Sequence, residues 1–109
     1  MNIKHYTYRV MWDDDDQQYI GLCAEFPSLS FLADKMEDAL TGIVSLVSDV
    51  VDDMLQNGEK IPTPLSEKHY SGEFRVRIPP MVHRALAIEA AEKGISMNRL
   101  ASAKLTANI

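Results

Sequence analysis

The chain of 109 residues is 46% hydrophobic, 25% charged and 7% aromatic, with a net charge of −5 and one cysteine, Cys23. That is room for one small domain, or for a compact domain and a short second module, and the composition is that of a folded protein. A lone cysteine excludes an internal disulfide and a cysteine-rich zinc site, and no apolar run is long enough to span a bilayer.

The first residues lack the basic, apolar and small-residue stretches of a secretion leader, so a reducing, cytoplasmic setting is expected. The net charge hides a split. Residues 1–70 carry five basic side chains against thirteen acidic ones, a balance of −8. Residues 71–109 carry six basic side chains against Glu73, Glu89 and Glu92, a balance of +3. An acidic module joined to a basic one is expected, and a basic module can meet phosphate.

Tyr6, Tyr8, Val10 and Trp12 recur at period two and predict a strand. Asp13–Asp16, with Gln17 and Gln18, is too polar to pair and reads as a hairpin loop. Ile20, Leu22, Ala24 and Phe26 then alternate with Tyr19, Gly21, Cys23 and Glu25, giving a second, antiparallel strand closed by Pro27. Leu29, Phe31 and Ala33 allow a short third strand. Asp34 stands as N-cap of a long helix, with Glu37 three residues on. Met36, Leu40, Ile43, Val47, Val50, Val51 and Met54 form its apolar stripe. Asp38, Thr41, Ser45, Asp49, Asp52 and Asp53 lie opposite, and Asn57-Gly58 ends the helix. A three-stranded meander covered by one helix can bury a core of its own.

From Gly58 to Gly72 the pattern fades. Pro62 and Pro64 exclude a regular helix, so an extended connector is expected, one able to add an edge strand, followed by a linker. Phe74, Val76 and Ile78 then alternate with Glu73, Arg75 and Arg77 as a strand ended by Pro79. Pro80 suits the first position of a helix running to Lys93, with Val82, Ala85, Leu86 and Ala90 inward and Gly94 as its stop. Ser96 caps a second helix, with Met97, Leu100, Ala101 and Leu105 inward, ending near Ile109.

One strand and two short helices cannot fold alone, because the strand has no ladder partner and so short a module seldom stabilises itself. The expected solution is a second copy, with Phe74, Val76 and Ile78 as the dimer core. Glu73, Arg75 and Arg77 of both copies would then face outward on a two-stranded ribbon that fits the major groove of DNA, where an arginine fork can bond guanine. The start of the second helix, Ser96, Met97 and Asn98, offers amides and a positive dipole end to a backbone phosphate.

The run Glu73-Phe-Arg-Val-Arg-Ile-Pro79, a helix ending at Gly94, and Ser96-Met97-Asn98 resemble the ribbon-helix-helix repressors. The resemblance implies that Glu73, Arg75 and Arg77 are the base-contacting positions, Glu73 standing where a neutral polar residue is frequent. Glu25-Phe-Pro-Ser-Leu29, Ala33-Asp-Lys-Met-Glu-Asp-Ala-Leu40 and Gly58-Glu-Lys-Ile-Pro-Thr-Pro64 resemble the HicB antitoxins, with Lys35 and Met36 departing from the common turn. This second resemblance implies an α+β chain with a partial RNase H-like βββα domain (1–66), a linker (67–72) and a ribbon-helix-helix βαα domain (73–109) that dimerises through its strand. It further implies a type II antitoxin that binds and silences a HicA toxin, a small basic mRNA-cleaving protein, and represses its own operon by binding operator DNA as a homodimer. A tetramer would follow if the N-terminal domains also pair. A balance of −8 suits a basic partner through electrostatic complementarity.

No catalytic residue, metal ligand or cofactor is expected. Two-metal chemistry needs carboxylates converging from separate elements, and four adjacent aspartates at a hairpin tip diverge. Cys23 reads as a small apolar residue. His5, His69 and His83 have no partner at ligand spacing. Arg84 and Arg99 are equally consistent with phosphate contact and with solvation. The alternative reading is a stand-alone repressor whose N-terminal domain senses a small ligand.

Overall fold

The polar tetrad between two alternating runs closes a hairpin. Strand β1 (Tyr8–Asp13) pairs antiparallel with β2 (Gln18–Cys23), in register from Tyr8 opposite Cys23 to Asp13 opposite Gln18. Strand β3 (Ser30–Ala33) pairs antiparallel with the other edge of β2, giving the order β1-β2-β3. The computed structural model describes residues 2–107, and the chain divides into two units, Met1–Ser71 and Gly72–Ile109. Its class is α+β. Among the described residues no helix is long and apolar enough to cross a membrane.

Helix α1 (Met36–Gln56) packs on one face of the sheet. Its buried residues, Ala39, Ile43, Val47 and Val51, recur every four positions and so form one stripe along the axis. Gly21 permits this close approach, because a Cβ there would overlap the Ala39 carbonyl and crowd Ile43. Tyr6, Cys23 and Phe26 complete the core. The Tyr6 and Phe26 rings meet edge to face at 5.3 Å.

Several local expectations need correction. The first strand starts at Tyr8, since residues 3–5 form a 3-10 turn, and the second stops at Cys23, since residues 24–26 already bend. Lys35, not Asp34, occupies the cap position of α1, without a side-chain cap; Asp34 instead accepts a hydrogen bond from Gln18 Nε2 at 3.2 Å. Met36 and Leu40 have the inward phase but are about half exposed. Helical spacing sets direction, not coverage.

Helix α1 ends where expected, with Gly58 in the left-handed region at φ 69°. The connector adds no edge strand. It packs into the first unit instead, with Pro64 fully buried and the Pro62 carbonyl accepting from the Tyr6 hydroxyl at 2.7 Å. A 3-10 turn over Leu65–Glu67 follows. His5 O accepts from the Ser66 hydroxyl at 2.7 Å, and His5 Nδ1 lies 3.0 Å from Glu67 Oε2.

In the second unit, α2 spans Pro80–Lys93 and α3 spans Met97–Thr106. Gly94 adopts φ 66° between them. The expected strand at 73–78 forms no ladder in the single chain, because nothing in its own unit offers a partner strand. The expected inner stripes bury only Ala90 and Leu100, and Val82 and Leu105 remain exposed. Glu89 joins the two helices, with its carboxylate 3.4 Å from both Lys93 and Lys104. The end of the second helix expected near Ile109 falls outside the described residues; α3 stops at Thr106.

Candidate functional site

The second unit exposes an alternating segment. Phe74, Val76 and Ile78 are 75%, 57% and 39% exposed, an unusual fate for three large apolar side chains within five residues. Val76 and Ile78 open onto a cleft of about 540 Å³ shared with Val82, Leu86, Met97 and Leu105. The structure thus brings two of the three expected dimer-core residues together with α2 and α3, while Phe74 stands outside the cleft. Glu73, Arg75 and Arg77 alternate with them and are exposed.

Ser96 is the N-cap of α3, and its hydroxyl accepts from the Arg99 amide at 3.0 Å. The amides of Met97 and Asn98 lie in the first helical turn, where no intrahelical acceptor exists. Asn98 also lines the cleft, as do His83 and Lys104. The predicted site residues therefore sit on one 38-residue unit, at the extended segment and the start of α3.

The first unit presents two contrasting surfaces. The sheet face turned away from α1 carries Met11, Ile20 and Leu32 in register, with Arg9 and Leu22 paired beside them. Met11 and Leu32 are exposed there. On the opposite side, Phe31 lies across Gly42 of α1, where any Cβ would overlap its ring. A groove of about 440 Å³ follows this contact, lined by Phe31, Gly42, Leu46, Thr41, Ser45, Asp38 and Asp49. Periodicity alone did not reveal this groove. The available signal was a glycine in mid-helix, which destabilises the helix unless packing requires it.

Glu25, a strand position and the first residue of the Glu25–Leu29 motif in sequence, has a structural role that neither pattern expresses. Its carboxylate accepts from the Thr7 amide at 2.8 Å, the Thr7 hydroxyl at 3.1 Å and the Leu65 amide at 2.9 Å. Desolvation acts to raise its pKa, but the Leu65 and Thr7 amides outweigh it and hold the carboxyl below its ordinary value. Cys23 is buried, and burial pushes its thiol up, so it is a poor nucleophile. In the aspartate turn, Asp13 accepts from the Asp15 amide at 3.1 Å and Asp14 from the Trp12 indole at 3.2 Å. Among the described residues no group of three His, Cys, Asp or Glu side chains is placed to hold a metal.

No curated protein and no solved structure matches the chain. A family model does. The matched span, residues 55–105, contains the Gly58–Pro64 exit, the Glu73–Pro79 segment and the Gly94–Asn98 turn, and lies downstream of the Glu25–Leu29 and Ala33–Leu40 motifs. From the last turn of α1 through most of α3, a little under half of the chain, the sequence matches a family model described as HicB family.

Proposed function

We propose that this protein is the antitoxin of a type II toxin–antitoxin pair: the first unit binds and silences a HicA-type toxin, and the second dimerises as a ribbon-helix-helix module that holds operator DNA. The observation that carries the DNA-binding half is the extended segment at 73–78. Its apolar side chains are exposed, its backbone has no ladder, and among the described residues its unit buries only Ala90 and Leu100. Pairing two such segments antiparallel would satisfy both backbones and cover Val76, Ile78 and the cleft beside them. Arg75 and Arg77 of each copy would then project from the far face toward base edges, with Glu73 beside them. The first turn of α3, at Ser96, Met97 and Asn98, would clamp a backbone phosphate. The HicB family match covers all of these residues.

For the first unit, the support is its acidity together with a family match that takes in its residues 55–71. Five basic against thirteen acidic side chains in residues 1–70 favour a cationic partner and speed its capture. No step of this function needs a catalytic residue, a metal or a cofactor.

The experiment is operator binding by the full chain, followed with DNA containing the upstream region of its own gene. Arg75→Ala and Arg77→Ala should each weaken binding by about 1–3 kcal/mol per lost base contact, twice over in a symmetric dimer. Both variants should still sediment as dimers. Footprints at wild-type affinity from both would overturn the assignment of the reading face, and a monomer in the wild-type chain would overturn the module itself.

A further inference from the structure

The acidic unit must have a place where a cationic partner docks, and two exposed apolar surfaces compete for that role. On the sheet face, Met11, Ile20 and Leu32 lie side by side, but Arg9 stands among them opposite Leu22. A basic partner would bring like charge against that guanidinium. The groove between β3 and α1 has the opposite character. Its floor is the Phe31 ring, pinned across Gly42 and 40% exposed. Leu46 continues the floor, and Asp38 and Asp49 stand at its ends.

Asp38 and Asp49 are eleven positions apart, about 16 Å along the helix axis, so the two carboxylates cannot grip one cation. They can meet two cations of a basic surface whose centre rests on the ring. Asp53 extends the same flank by a further turn, since 42, 46, 49 and 53 follow helical spacing. Among the described residues none of these three aspartates has an ion-pair partner in its own chain. An exposed aromatic face flanked by carboxylates is the chemistry that receives arginine, through stacking and charge together.

We infer that the β3–α1 groove is the docking site for a small basic protein, which lays an arginine-bearing surface over Phe31 with flanking cations at Asp38 and Asp49. This rests on the antitoxin reading and names the surface through which it acts. The aspartate turn is the weaker site, because Asp13 and Asp14 already spend acceptors on holding the turn.

The test measures binding of the full chain to the small basic protein encoded beside its gene, by calorimetry and by association kinetics. The Asp38→Asn, Asp49→Asn double variant keeps the groove's shape and should bind about tenfold more weakly, mainly through a slower on-rate. Phe31→Leu keeps an apolar floor but removes the ring, and should also lose about tenfold. Met11→Ser on the sheet face should bind like the wild type. Raising sodium chloride from about 0.05 to about 0.5 M should weaken the wild type more than the double variant. If the wild type binds and both groove variants match it, the groove is overturned and the antitoxin reading stands. If the wild type itself does not bind, the antitoxin reading fails and takes the docking site with it.

Discussion

The first unit seals a core of its own and leaves some apolar side chains outside it; the second leaves most of its large apolar side chains open. In the first, Tyr6, Cys23, Phe26, Ile43, Val47 and Val51 are sealed between one sheet face and one helix. In the second, Phe74, Val76, Met81, Val82, Ile88 and Leu105 lie open, and among the described residues Ala90 and Leu100 alone are buried. Both are made from similar residues. What differs is closure: a three-stranded meander supplies its own ladder partners, whereas a single extended segment ahead of two helices supplies none. The comparison teaches that one part of this chain closes a core with its own strands and the other does not.

The largest effect expected from that contrast is on concentration dependence. Residues 72–109 alone should lose helical circular dichroism on dilution, and residues 1–71 alone should keep their spectrum; a dilution-proof second unit would erase the distinction. Next in size, Ile43→Ala should cost the first unit about 2–5 kcal/mol in denaturant unfolding, while leaving the association of the second unit unchanged.

A smaller effect concerns the Glu25 carboxylate, whose pKa is lowered from 4.5 on folding. A depressed carboxyl contributes stability that is full above its unfolded value and is lost as pH falls through the folded one. Glu25→Gln should therefore destabilise the first unit by about 1–3 kcal/mol at neutral pH. Below pH 4.5 the gap to the wild type should narrow, and a gap constant with pH would deny the carboxylate its role. Smallest is Ser96→Ala, which removes the cap from the Arg99 amide and should cost the second unit's melting about 1 kcal/mol.

Where local chemistry decided the outcome, the structure was legible in advance. Pro80 and Gly94 delimit α2 at its observed bounds, Gly58 stops α1, and Ser96 caps α3. The hairpin followed from alternation broken by aspartates. What stayed hidden was non-local. Glu25 finds Leu65 forty residues away, and nothing in either segment announces the meeting. Lys35 stands at the cap position of α1, while Asp34 accepts a hydrogen bond from Gln18 of β2, sixteen residues earlier. Met36 and Leu40 share the inward phase of the buried stripe, but phase does not say what lies opposite. Gly21 and Gly42, whose packing the alternation and the helical stripe did not express, each stand within a regular element where a Cβ would meet a close neighbour.

The way the connector is fastened decides where this protein can be taken apart. Tyr6 grips Pro62, Glu25 grips Leu65 and His5 grips Ser66, so residues as late as Glu67 serve the body that begins some sixty positions earlier. A recombination breakpoint placed at the end of the long helix would strip these anchors from the leading half and expose the socket that Pro64 fills. Exchange of the trailing half for another module is tolerable only beyond Glu67, which makes the few residues between there and Phe74 the natural seam of the chain.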